Sequence, residues 1–167
     1  SHYFLQFANR HTEMPSLLYE FAIEVQRLTG CTAVGVRLLD NEGNIPYLVY
    51  KGFSQEFYES ESPLSVKSHG SMCRQVVTGL VDSNLPGYTP GGSLCVNSTT
   101  LFLANLARPE KRSACDLCHG FGYESVALVP IRLGERTLGL IHVADPRPNM
   151  LTPQQVEMVE VAVMSLG

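Results

Sequence analysis

Two apolar segments near the C-terminus constrain the fold more than any other feature of the chain. Residues 124–133 and 137–145 are rich in Val, Leu and Ile, and Gly134-Glu135-Arg136 lies between them. Aliphatic runs separated by a short Gly-containing turn are typical of a β-hairpin. Thr152-Pro153 then gives a helix-start signal. The C-terminal region therefore predicts an antiparallel hairpin followed by a helix over residues 152–166.

The N-terminal region predicts a helix and a second hairpin. Apolar residues recur at spacings of three and four over residues 14–29, which indicates an amphipathic helix ended by Gly30. Strands are predicted over residues 32–40 and 45–51. The Asn-Glu-Gly-Asn sequence between them favours a turn, because Asn and Gly adopt positive φ at little cost.

The middle of the chain predicts short helices and a long loop. Residues 54–60, with Ser54 as the cap, and residues 69–78 each indicate a short helix. Residues 84–93 are rich in Gly and Pro and predict a loop. Long loops in compact domains are often functional. Residues 99–107 fit a helix or a short strand equally well.

This order of elements predicts an α+β architecture in a single domain, residues 1–167. The terminal helices would cover one face of a central antiparallel sheet. Short helices and loops would cover the other face and leave a ligand pocket. Residues 1–13 are expected to be a linker or the end of a signalling helix. Since no initiating Met is present, we expect the chain to be part of a longer protein.

Charge and composition exclude several classes of function. The net charge is −4 and the pI is near 5.7, which disfavours nucleic acid as a direct partner. No apolar run approaches the roughly 20 residues of a membrane-spanning helix, and no signal peptide is recognisable. Five cysteines is an odd number for a disulfide scaffold, so a reducing, cytoplasmic location is expected.

Several motifs along the chain resemble those of the GAF domain, a sensor module of signalling proteins. Residues 30–38 resemble the first strand of the family, and residues 122–131 with 139–145 resemble its closing hairpin. Residues 97–100 and 120–125 are most similar to GAF domains attached to bacterial and archaeal sensor histidine kinases. The resemblance extends over essentially the whole chain, and it implies a GAF/PAS-like fold.

The resemblance implies a regulatory domain without catalytic residues. It implies a homodimer formed through the terminal helices, and a covalently linked output domain. The signal would be a small molecule or a redox change. GAF domains bind cyclic nucleotides, bilins, haem, iron centres and metabolites, so the resemblance does not identify the ligand of this chain.

The cysteine-rich segment before the closing hairpin suggests a cofactor site. Cys115 and Cys118 have the spacing of a zinc or iron half-site, and His119 completes the pattern of covalent haem attachment. Cys73 and Cys95 flank the long loop, whose folding could bring them to this pair. Four thiolates would suit a metal ion or an iron–sulfur cluster. The alternative is that all the cysteines are unliganded thiols.

The remaining cysteine and histidine candidates have structural alternatives. Cys31 lies beside Gly30 and is expected to be packed as a small apolar residue. His142 lies in the middle of a predicted strand, where it could bind a ligand or haem iron. The more common role at such a position is a partly buried core histidine bonded to backbone.

A polar cluster and one aromatic residue are candidates for the ligand pocket. Asn97, Ser98, Thr99 and Tyr123 could bond a small ligand, although such polar residues serve equally well as helix caps and turns. Two other functions are alternatives to a sensor. One is a thiol enzyme of the same fold, such as a free methionine sulfoxide reductase, and the other is a structural dimerisation module.

Overall fold

A five-stranded antiparallel sheet organises the described part of the chain. This computed structural model describes residues 14–61, 72–79, 87–105 and 119–166. The strands are β1 (Ala33–Leu38), β2 (Tyr47–Lys51), β3 (Leu94–Val96), β4 (Ser125–Leu133) and β5 (Arg136–Asp145). Their order is β2-β1-β5-β4-β3, and each neighbouring pair is antiparallel. Both predicted hairpins are present, and pairing of β1 with β5 joins them.

The helices are α1 (Met14–Thr29), α2 (Gln55–Glu61), α3 (Met72–Thr78), α4 (Thr99–Ala104) and α5 (Pro153–Met164). Helix α1 buries residues three or four apart, and Gly30 ends it at φ +70°. Thr152 and Gln155 form a capping box at the start of α5. No helix among these has the length and apolarity needed to cross a membrane.

The two faces of the sheet carry separate apolar layers. Helices α1 and α5 pack on one face, over side chains such as Val34, Ile141 and Val143. Helices α2, α3 and α4 contribute Phe57, Val76 and Phe102 to the layer on the other face. The predicted α+β arrangement, with terminal helices on one face and short helices on the other, is therefore confirmed.

The boundaries and one element differ from the sequence predictions. The first hairpin is shorter than predicted, and β2 begins after Pro46, which has no N–H to donate to a neighbouring strand. Ser54 accepts a hydrogen bond from the N–H of Phe57 at 3.0 Å and so starts α2. The ambiguous segment after Ser98 is the helix α4. Strand β3 was not assigned from sequence, because three residues carry too little periodicity.

Candidate ligand site

A completely buried arginine lies at the centre of the short-helix face. Arg37 is on β1 and is 0% exposed. Its Nε donates to the carbonyl oxygen of Ile45 at 2.6 Å, and Nη1 lies 3.7 Å from the sulfur of Cys73 on α3. Nη2 donates to the carbonyl oxygen of Glu61, at the end of α2. One guanidinium therefore connects the sheet with both α2 and α3.

The surroundings of Arg37 keep it charged. Burial by itself would lower the pKa of this guanidinium, but the neighbouring Tyr47, Cys73 and Glu61 raise it above its ordinary value. Its carbon Cζ lies 4.2 Å from the centre of the Tyr47 ring, at cation–π distance. Burial raises the pKa of the Glu61 carboxyl, and the positive charge of Arg37 opposes that shift. The site thus holds a desolvated cation, which is costly unless it is well bonded.

His142 lies on the same face, on the adjacent strand β5. It is 0% exposed, and its Nδ1 is 2.6 Å from the hydroxyl of Tyr47. Burial, together with the charge of Arg37, lowers its pKa to about 3. The imidazole is therefore neutral near neutral pH. One bonding partner of the ring is thus the side chain of Tyr47.

Aromatic rings surround these polar groups. The rings of Phe53 and Phe57 stack with centres 4.5 Å apart, and the ring of Tyr123 meets each of them edge-on at 5.5 Å. Gly35 makes room for this arrangement, since a Cβ there would lie 2.6 Å from the ring of Tyr47. We call Arg37, Tyr47, Cys73 and His142 the Arg37 cluster, because their side chains meet within this aromatic layer.

The structure separates two of the predicted thiolate ligands. Cys73 belongs to the short-helix layer, whereas Cys95 on β3 packs against the layer of the terminal helices. The sheet lies between them, so one metal ion cannot bind both. This corrects the predicted set of four thiolates. Cys115 and Cys118 lie outside the described residues.

The described thiols on the terminal-helix face are poor candidates for metal binding or nucleophilic attack. Cys31 is buried in the apolar layer, as predicted. Burial raises the pKa of Cys31, and it raises that of Cys95 to about 11, with the nearby Cys31 adding to the effect. Metal binding and nucleophilic attack both require the thiolate. Within the described residues, no three His, Cys, Asp or Glu side chains are grouped as metal ligands.

The polar cluster after β3 forms structural hydrogen bonds. The amide of Asn97 both donates to the carbonyl of Leu151 at 2.7 Å and accepts from its N–H at 2.9 Å. The side chain of Ser98 caps α4. The hydroxyl of Thr99 donates to the carbonyl of Tyr123 at 2.6 Å. These bonds fit the cap-and-turn alternative, and they leave the ring of Tyr123 in contact with the aromatic layer.

His119 belongs to a partly exposed polar group with Thr100 and Glu124. Its Nε2 lies 3.1 Å from the hydroxyl oxygen of Thr100, which donates to the carboxylate of Glu124 at 2.7 Å. Burial alone would raise the pKa of the Glu124 carboxyl, but hydrogen bonds from Thr100 and Ser98 and the proximity of His119 lower it. His142, by contrast, is completely buried, beside the rings of Phe53 and Phe57.

Arg37 and Tyr47 were missed as candidates by sequence reasoning. The sequence feature that could have identified Arg37 is its charge within the apolar run 33–38, at a position that shares its face with Ala33 and Gly35. Alternation places Arg37 on that face, but it does not show which face is covered by helices.

Comparison with known proteins identifies the family and the fold. The sequence profile of the GAF domain matches residues 13–167. A domain from Sinorhizobium meliloti, described as part of a two-component sensor histidine kinase, is 16% identical with a TM-score of 0.61, covering 91% of this chain and 87% of that one. The GAF domain region of a protein from Geobacter sulfurreducens, described as a membrane protein, is 15% identical with a TM-score of 0.70, covering 96% and 95%.

An enzyme shares the same fold. The type II free methionine-R-sulfoxide reductase of Thermoplasma acidophilum is 10% identical with a TM-score of 0.63, covering 90% of this chain and 87% of that one. Identities this low establish likeness of fold alone. Comparison with functionally curated proteins finds no match.

Proposed function

Because this chain belongs to the GAF domain family, we propose that it is the sensory domain of a signal-transduction protein. We propose further that it binds a small molecule at the Arg37 cluster. The observation that carries this is the buried guanidinium, whose three described contacts are two carbonyl oxygens and one sulfur. A guanidinium has more N–H donors than these contacts use. Among the described carboxylates, none forms a direct ion pair with it.

The chemistry of the cluster favours a flat ligand with a carboxylate group. Arginine forms strong, paired hydrogen bonds with carboxylates. The rings of Phe53, Phe57 and Tyr123 offer edge and face contacts to a planar ring. The neutral His142 adds no second positive charge beside the guanidinium. Aromatic carboxylates combine both features.

Thermal melting tests this proposal with aromatic carboxylates, each compared with its neutral amide. A ligand at one hundred times its Kd stabilises the native state by about 2.7 kcal/mol. We expect a carboxylate to raise the Tm of the wild type, its amide to do so less, and Arg37→Met to remove the response. Circular dichroism of Arg37→Met without ligand checks that the variant is folded. If Arg37→Met keeps the full response, the ligand binds elsewhere.

The terminal helices are the proposed dimer interface and signal exit. They expose several large apolar side chains: Leu17, Tyr19, Ile23, Met158, Val161 and Met164. Leu28 of α1 and residues of α5 also line a surface groove of about 480 Å³. Exposed apolar residues on adjacent helices favour burial against a second copy, in a homodimer through α1 and α5.

The output domain and the location are also proposals. The S. meliloti protein of similar fold is described as a sensor histidine kinase, which supports a covalently linked kinase here. The odd number of cysteines supports a cytoplasmic location, and the acidic pI argues against nucleic acid as a partner. A ligand would act by stabilising one of two conformations of the domain.

A cofactor on Cys115, Cys118 and His119 is a separate proposal, resting on the sequence motif. An absorption spectrum of anaerobically purified protein, with metal analysis, tests it. A Soret band indicates haem, and iron with sulfide indicates a cluster. Cys115→Ser with Cys118→Ser should remove the signal, whereas Cys95→Ala should keep it, because burial raises the pKa of the Cys95 thiol to about 11. A colourless, metal-free protein contradicts the cofactor proposal.

The alternatives give different results in simple assays. Turnover of free methionine sulfoxide with a dithiol reductant would contradict a purely sensory role and identify a thiol enzyme. The fold shared with the T. acidophilum reductase is the support for that alternative. A structural dimerisation module would form the dimer without any change of Tm across the ligand panel.

A further inference from the structure

The edge of the sheet carries a short hairpin that contacts helices on both faces. The edge hairpin, as we call residues 87–96, consists of β3 and the segment that folds back along it. The N–H of Cys95 donates to the carbonyl of Gly87 at 2.7 Å, and the N–H of Thr89 donates to the carbonyl of Ser93 at 2.8 Å. Pairing of β3 with β4 attaches the edge hairpin to the sheet.

On the short-helix face, the edge hairpin is bonded to α3. The hydroxyl of Tyr88 donates to the side-chain oxygen of Gln75 at 2.7 Å. The ring of Tyr88 also packs against the apolar layer on that face. Helix α3 carries Cys73, which contacts Arg37. The edge hairpin is therefore connected to a wall of the proposed ligand site.

On the opposite face, the edge hairpin is bonded to α5. One carboxylate oxygen of Glu160 accepts hydrogen bonds from the hydroxyls of Thr89 at 2.9 Å and Ser93 at 2.7 Å. Ser93 is completely buried. Charge-assisted hydrogen bonds of this kind are stronger than neutral ones.

Two glycines let the tip of the edge hairpin approach these partners closely. A Cβ at Gly91 would lie 2.3 Å from a carboxylate oxygen of Glu160, and one at Gly92 would lie 2.4 Å from the guanidinium of Arg132. Gly92 also has φ +85°, in the region that favours glycine. The Nη1 of Arg132 donates to the carbonyl of Gly91 at 3.2 Å. The tip is thus held by both α5 and β4.

We propose that the edge hairpin transmits movement of α3 to α5 and so connects the ligand site with the helix that carries the signal out. The functional meaning of this route rests on the proposed sensory function. The coupling itself can be measured without a ligand. Failure to find a ligand and failure of the coupling are therefore distinguishable results.

Tyr88→Phe tests the coupling, because it removes the bond to Gln75 without touching α5. Hydrogen exchange is measured by mass spectrometry on the whole chain, with α1 as the internal reference for global unfolding. Loss of one hydrogen bond of typical strength corresponds to about a fivefold change in exchange. We expect exchange in α5 to rise by up to about fivefold relative to α1.

Tyr50→Phe is the matched control. The hydroxyl of Tyr50 also donates to a glutamine, Gln55, at 3.1 Å on the same face, but it does not contact the edge hairpin. Its loss should leave α5 unchanged. Glu160→Gln should raise exchange in α5, and adding Tyr88→Phe should then have little further effect, since the route is already weakened. The inference is overturned if Tyr88→Phe affects α3 alone, affects α1 and α5 equally, or adds fully to Glu160→Gln.

Discussion

His142 should make the domain less stable as the pH falls below neutrality. In the folded protein its pKa is lowered to about 3, chiefly by burial, whereas its ordinary value is 6.5. The unfolded chain therefore binds a proton below about pH 6.5, and the folded protein does not until about pH 3. The contribution of the neutral His142 imidazole to the free energy of unfolding is complete above the pKa of the unfolded chain, and it is lost as the pH falls towards the pKa of the folded protein.

The size of the effect follows from the pKa difference. Within the window between the two pKa values, each pH unit changes the free energy of unfolding by about 1.4 kcal/mol. Lowering the pH from about 7 to about 5 should therefore remove about 2 kcal/mol through His142 alone. For a domain of this size, that corresponds to a fall in Tm of about 4–8 °C.

Urea unfolding of the wild type and His142→Asn at both pH values isolates this contribution. Asparagine offers the hydroxyl of Tyr47 a hydrogen-bonding group and does not titrate. Carboxylates titrate in both proteins and cancel in the comparison. We expect the wild type to lose about 2 kcal/mol more than His142→Asn on acidification. Equal losses in the two proteins would show that the imidazole is accessible to protons in the folded state.

Three further predictions concern stability and assembly. Burial alone would raise the pKa of the Asp145 carboxyl, but hydrogen bonds from Arg147 and Thr32 lower it. The contribution of this carboxylate to stability is therefore present above its ordinary pKa and is lost as the pH falls through the folded value. Asp145→Asn should cost about 1–3 kcal/mol near neutral pH by urea unfolding, and no loss would contradict the role of its ion pair. Gly35→Ala should lower the free energy of unfolding by about 1–3 kcal/mol, because the new Cβ would overlap the ring of Tyr47. At Gly120 no atom lies within 4 Å of an added Cβ, so Gly120→Ala should unfold at nearly the same urea concentration as the wild type. Val161→Glu, at a residue 61% exposed on α5, should shift the protein from the proposed dimer to a monomer in light scattering while its circular dichroism spectrum stays that of the wild type, and an unchanged mass would move the interface elsewhere.

Much of the fold could be predicted because its signals are local. The apolar spacing of α1, its end at Gly30 and the two aliphatic runs of the closing hairpin each depend on a few consecutive residues. The capping box at Thr152 is likewise contained within one turn of chain. Such features specify the type of element and the side chains that share a face.

The candidate site could be predicted only in part, because burial and proximity are properties of the assembled fold. The motif around Cys115 drew attention to a thiolate site, yet the sheet places Cys73 and Cys95 on opposite faces. Conversely, Arg37 sits in a strand pattern that gives no warning of complete burial. Two of its hydrogen-bonding partners come from α2 and α3, which lie 24 and 36 residues further along the chain.

The sequence by itself determined the order of the elements apart from β3 and α4, the pairing within both hairpins and the faces on which side chains lie. Tertiary structure decided which of those faces would be covered, and therefore that Arg37 and His142 would share a desolvated layer with Tyr47. The physical reason is that periodicity and turn chemistry act over neighbouring residues, whereas desolvation and charge interactions depend on every segment packed around a group.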